Sequence, residues 1–346
     1  MVNNKATVLV TGISGWIAQF CAVELIKEGY TVRGSLRTMS RKEEVIKALS
    51  TQVDVNGKLE FCQLDLLDNN GWLEAMQGCE YVMHIASPFI MTEPKDENEY
   101  IKPAIDGTLR ALKYAHKAGV KRVVLTSSLV SVMGDVKAGN LTPDSWSSRD
   151  RNSRLPAYQK SKTLAESAAW EFVQSQPKDG HQLELVTINP GAVLGPALSQ
   201  DIHGASLDIC VQLLTKKMPG IPNLKIAMVD VRDVAVHHFK AMIEPAAKNK
   251  RILSCFEKPT HFLDFATTLK ENGYDVPTKK LPTLLVKFLS IFDRDAKAML
   301  PFLDRSISFD ISQTEKLFNW KPIPLKTTFL DMARSVSEIL NNQSKN

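Results

Sequence analysis

The stretch "ATVLVTGISGWIA", residues 6–18, decides the fold. Its first half is a short apolar run with β-branched residues, which reads as a buried strand. Gly12 and Gly15 then allow a tight turn, and "IAQFCAVELIKEG" continues as a helix. A glycine turn between a first strand and a helix N-terminus lets the backbone approach a diphosphate, whose charge the aligned helix amides favour. The spacing here is Gly-x-x-Gly-x-x-Ala, which departs from the three-glycine dinucleotide fingerprint, so the turn alone names no ligand.

Working outward, the same strand-then-helix pattern repeats. Strands are expected at 6–11, 31–36, 59–64, 81–86, 122–127 and 183–188, with a long helical run "NEYIKPAIDGTLRALKYAHKAG" among them. Near-continuous Val, Ile and Leu in these strands marks burial on both faces, as in a doubly wound parallel sheet of α/β class. After about residue 190 the alternation loosens and prolines punctuate the chain. Residues 1–190 therefore read as mainly a dinucleotide-binding domain and 191–346 as mainly a smaller C-terminal lobe for substrate. A segment near 225–244 is expected to return to the main sheet.

Composition narrows the function classes. The 346 residues are 44% apolar and 23% charged, ordinary for a soluble globular chain. The net charge of +5 is spread among Lys, Arg, Asp and Glu rather than gathered in blocks, which argues against nucleic-acid binding. Five widely spaced cysteines form no CxxC pair and no cluster with histidine, so no metal site is expected and the thiols read as reduced. "LPTLLVKFLSIF" is too short and too interrupted to span a bilayer, and the first residues lack the pattern of a secretory signal. A cytoplasmic protein with no membrane partner is the expectation.

Three groups of residues carry chemistry. At the end of the second strand, where enzymes of the unphosphorylated dinucleotide want a carboxylate, the chain has "SLRTMSRK", which offers Arg37 and Arg41 and suits a 2′-phosphate instead. After the fifth strand, "LTSSLVS" places Thr126, Ser127, Ser128 and Ser131 where ligands of such sheets gather, and any of them could donate to a carbonyl. In "PAYQKSKTLAE", Lys162 falls ~40° from Tyr158 around a helix whereas Lys160 falls about 200° away. Lys162 thus shares the tyrosine's face, where an ammonium would lower the phenol's pKa, and Lys160 reads as a surface lysine.

Taken in order, "TGISGWIA", "VLTSS", "YQKSK", "NPGAVLGP" and "VDVRDVA" resemble the extended short-chain dehydrogenase/reductases, in particular the dihydroflavonol 4-reductase-like branch, over nearly the whole chain. The resemblance implies a Rossmann-type fold, NADPH/NADP+ as cofactor and a small aldehyde or ketone as substrate, in a monomer or homodimer. It implies Tyr158 as general acid, Lys162 on the nicotinamide ribose and Ser128 on the substrate carbonyl. It further implies Gly12, Ser14, Gly15, Trp16 and Ile17 at the diphosphate, Arg37 and Arg41 at the 2′-phosphate, and Asp65 and Leu66 at the adenine. Ala86 and Ser87 fall at the ribose side, and Pro190, Gly191 and Val193 at the nicotinamide amide. Phe89, Met91, Leu129, Val193 and the loop from Gly134 to Pro156 are expected around an apolar pocket. Two competing readings are a nucleotide-sugar epimerase or dehydratase, which would want an acid in place of Arg37, and a non-catalytic NADP(H) sensor, which would have no need of Tyr158.

Overall fold

The computed structural model describes residues 5–88, 96–202, 204–218, 220–291, 300–303 and 305–344. Seven parallel strands form the central sheet: β1 (Thr7–Val10), β2 (Thr31–Leu36), β3 (Leu59–Gln63), β4 (Cys79–His84), β5 (Arg122–Thr126), β6 (Glu184–Pro190) and β7 (Arg251–Ser254). Their spatial order is β7-β6-β5-β4-β1-β2-β3. The order reverses between β1 and β4, and ligands of open α/β sheets bind in the crevice at such a switch point. β1, β5 and β7 are buried almost throughout, which accounts for their unbroken apolar character.

The helices cover both faces. Trp16–Lys27 packs against Val231–Ile243 on one face, and Asn98–Lys117 packs against Ala157–Gln174 on the other. The return to the main sheet is made by β7, whereas Lys225–Ile226 and Met228–Asp230 pair outside it. Met228–Asp230 runs parallel to Ala192–Leu194 and ends because Asp230 caps the next helix, its side chain accepting from the Arg232 amide. The 225–244 stretch thus reaches the main sheet through the Val231–Ile243 helix rather than through a strand.

The later residues build their own apolar cluster around Phe265, Phe329, Met332 and Val336. Trp16 packs against both this cluster and the one under the main sheet, and its indole Nε1 donates to the Pro196 carbonyl at 2.8 Å. One side chain of the glycine turn therefore ties the two regions together. No described helix is long and apolar enough to cross a membrane.

Candidate active site

The glycine turn is shaped by contacts it leaves no room to change. Gly12 has φ +65°, and a Cβ there would lie 3.0 Å from the Ala86 Cβ, so a side chain would be both strained and crowded. The Gly12 amide donates to the Ser35 hydroxyl and the Gly15 amide to the Gly12 carbonyl. Thr11 fixes the neighbouring strand end: its hydroxyl accepts from the Ile85 and Ala86 amides at 3.0 Å and pairs with His84 Nδ1. Burial drives His84 down to about 3, with Lys162 adding to the depression, so the imidazole is neutral and carries no charge into the site.

At the end of β2, Arg37 is exposed, and its guanidinium has no hydrogen-bond or ion-pair partner among the described residues. Arg41 is engaged: it meets both oxygens of Glu44 at 2.9 Å and Asp201, far along the chain, at 2.7 Å. The two arginines that the sequence treats alike are therefore in different states. Asp65 spends one carboxylate oxygen on the Leu67 amide at 2.8 Å, and the Leu66 carbonyl takes the Arg110 guanidinium.

The Ala157–Gln174 helix begins directly after Pro156, whose extended backbone stops the loop and whose carbonyl accepts the Lys160 amide. Tyr158 sits in its first turn, 36% exposed, with Tyr100 edge-on at 6.5 Å and Ser128 hydrogen-bonded to it. Desolvation raises the phenol above its ordinary value, the Tyr100 neighbour adds to the rise, and the Ser128 hydrogen bond offsets part of it. The depression expected from Lys162 is not what this environment produces, because the Lys162 ammonium is turned to Ser87, 3.1 Å away. Burial brings Lys162 itself down to about 8, against an opposing pull from Glu166.

The serines separate cleanly. Ser127 is buried and its hydroxyl donates to Glu166 at 2.5 Å, so of the pair it is Ser128 that meets Tyr158. Lys160 corrects the expectation of a surface lysine: it is 6% exposed and its ammonium meets Glu97 at 2.7 Å, joining this helix to the start of Asn98–Lys117. The outward face at this height is covered by that helix, which helical periodicity alone cannot reveal.

A cleft lined by Leu66, Ala86, Ser87, Thr108, Lys162 and Glu166 gathers several of the expected positions. Gly191 bounds the lobe side. A Cβ there would come within 2.3 Å of the Ala227 carbonyl oxygen, its amide bonds the Ser254 carbonyl, and Val193 is buried beside it. The Pro190 carbonyl accepts the Leu129 amide, fastening β6 to the serine segment. Ser14 and Ile17 lie in and just after the glycine turn. Phe89 and Met91 lie outside the described residues. Missed by sequence reasoning were Thr11, Ser35, His84, Asn189 and Arg251; Glu166 was missed too, although its place four residues after Lys162 on the same helical face was a readable signal.

Residues 8–255 match the NAD dependent epimerase/dehydratase family. The chain belongs to this family. Within it, the chain is 34% identical over 283 residues to cinnamoyl-CoA reductase 1 of Petunia hybrida, covering 79% of each. It is 30% identical to dihydroflavonol 4-reductase of Zea mays, covering 80% of this chain and 78% of that one. Among solved structures it is similar to yeast methylglyoxal/isovaleraldehyde reductase complexed with NADPH, with TM-score 0.80, 26% identity, and 97% of this chain and 99% of that chain covered. Among the family's activities the chain sides with the reductases, and it is an oxidoreductase of the extended short-chain dehydrogenase/reductase type.

Proposed function

We propose that the protein is an NADPH-dependent carbonyl reductase that converts an aldehyde or ketone of modest size to an alcohol. The observation that carries the reading is Tyr158 beside Ser128 just past β5, with Lys162 one turn further along the same helix and its ammonium on Ser87 just past β4. The residues fit the dinucleotide: the Gly12 turn has no space for a side chain, Arg37 stands unpaired among the described residues where a 2′-phosphate would lie, and no carboxylate occupies that strand end. Gly12, Ser14, Gly15, Trp16 and Ile17 would hold the diphosphate; Asp65, Leu66, Ala86 and Ser87 the adenosine and ribose side; Pro190, Gly191 and Val193 the nicotinamide amide.

Bound NADPH supplies the hydride. In this reading Ser128 and Tyr158 bind the substrate carbonyl oxygen, and Tyr158 gives it the proton as the carbon is reduced. A phenol held above its ordinary value is protonated throughout the neutral range, which is the form a reduction needs. Lys162 holds a positive charge beneath the site and bonds the ribose, with Ser87 as its resting partner. The similarity of the chain to reductases of cinnamoyl-CoA, dihydroflavonol and methylglyoxal supports the same chemistry without fixing one substrate.

The test is NADPH absorbance followed across a panel of aldehydes, ketones and diketones, with NADH in parallel. Turnover with NADPH and little with NADH is the expected result. Equal use of both cofactors would remove Arg37 from the reading and favour the epimerase alternative.

A further inference from the structure

Behind Ser128 lies a buried polar cluster that the proposed reaction does not itself use. The Glu166 side chain is fully enclosed, and six donors converge on its two oxygens. Oε2 is 2.5 Å from the Ser127 hydroxyl, 2.5 Å from the Ser131 hydroxyl and 2.8 Å from Asn189 Nδ2. Oε1 takes Arg251 Nε at 2.7 Å, the Thr187 hydroxyl at 3.1 Å and Trp170 Nε1 at 3.3 Å. An isolated carboxylate in such a place would be neutralised or expelled. Burial does push Glu166 upward, yet the Arg251 charge and these hydrogen bonds outweigh it and hold the carboxyl below its ordinary value.

The partners of Glu166 reach two walls of the site. The Ser131 hydroxyl lies 2.7 Å from the Ser128 carbonyl, and Asn189 Nδ2 lies 3.3 Å from the same oxygen. Arg251 extends its other nitrogen to the Pro143 and Ser145 carbonyls, both at 2.6 Å, and stacks on the Trp146 ring at 3.7 Å. Ser147, next along, closes on the Ser131 carbonyl and the Gly134 amide. Lys162 stands one helical turn before Glu166 and shares the cleft with it.

We propose that Glu166, locked by Arg251, is the positioning residue that fixes the Ser128 strand end, the Lys162 face of the helix and the Thr142–Ser147 loop as one unit. The inference rests on the reductase reading for its kinetic consequence, but its electrostatic consequence stands on the free protein. Among the described residues, Glu166 and Tyr158 flank Lys162 one turn away on its own helix, His84 and Ser87 lie at the end of β4, and Arg251 on β7 stands behind Glu166; Tyr100 packs on Tyr158, and His238 bonds Thr126. His84 and His238 are held neutral by burial, so the charge of Glu166 is what holds Lys162 up, and removing Arg251, which keeps Glu166 ionised, must move Lys162 in the same direction as removing Glu166.

The experiment labels the protein with an amine acylating reagent across pH and follows Lys162 by peptide mass spectrometry, in the wild type, Glu166→Gln, Arg251→Met and Arg251→Lys. Half-labelling is expected near pH 8 in the wild type. It should fall by about one pH unit in Glu166→Gln, fall also in Arg251→Met, where Glu166 loses its charge partner and takes up a proton, and return close to wild type in Arg251→Lys. A rise in Arg251→Met, or no shift in either folded variant, overturns the proposal. Should Glu166→Gln fail to fold, Arg251→Met against Arg251→Lys carries the same decision, and coincident curves overturn it. In turnover, Glu166→Gln should lower kcat about 10- to 100-fold, the cost of a misplaced reacting group, with the KM for NADPH within about twofold. A wild type that reduces no carbonyl compound would sink the reductase reading while leaving the labelling result to judge this one.

Discussion

At the proposed catalytic end, Lys162 is desolvated to about 8 and backed by a Glu166 with no exposed side chain. At the proposed adenosine end, Arg37 is exposed, and Arg41 is about a third exposed between Glu44 and Asp201. The same kind of charge therefore works under two regimes. In the low-dielectric end each group's state depends on its neighbours and little on salt; in the wet end the charge is constant and its worth is set by screening. In the proposed reading chemistry and recognition fall to separate regions, and substitutions in the two should leave different signatures.

The largest effect is expected from Tyr158→Phe. Turnover should fall roughly 10²- to 10⁴-fold with NADPH affinity nearly unchanged, since the hydroxyl acts only on the reacting oxygen. Near-normal turnover in a stopped-flow measurement would remove Tyr158 as the proton donor and break the comparison at that end. Next in size is the pH dependence. Lys162 is cationic below about 8 and loses its proton above, so kcat/KM should hold at neutral pH and then decline by up to about tenfold per unit as pH rises further. A profile flat through pH 10 would show that this charge is not needed.

Arg37→Ala tests the wet end. Charge-assisted bonds of about 1.5 to 3 kcal/mol, taken at their lower limit because the site is exposed, translate into a KM for NADPH about tenfold higher, with NADH unaffected. The gap should narrow as ionic strength rises, which the catalytic-end variants should not do. Asp201→Asn sharpens this further. It removes one of the two carboxylates that hold Arg41, an exposed ion pair of about 0.2 to 1 kcal/mol, while Glu44 stays bound, so NADPH should bind at most about fivefold tighter by titration calorimetry. Smallest for activity is Lys160→Met, where loss of the Glu97 pair should lower the thermal midpoint and leave the alkaline limb of the pH profile in place. A shifted limb there would place Lys160 in the charge network after all.

The sequence by itself determined the alternation of strand and helix, the Gly12 turn after β1, the arginine in place of a carboxylate after β2, and the sharing of one helical face by Tyr158 and Lys162. These are local properties, written in periodicities of two and 3.6 and in residues with special backbones. Which serine meets Tyr158, why Lys160 is buried, and why Arg41 is engaged while Arg37 is not were decided by contacts between distant segments. Glu166 shows the reason most plainly: its charge partner Arg251 lies 85 positions on, brought alongside by the sheet order that sets β7 beside β6. Periodicity says which way a side chain faces, and only the packed fold says what it finds there.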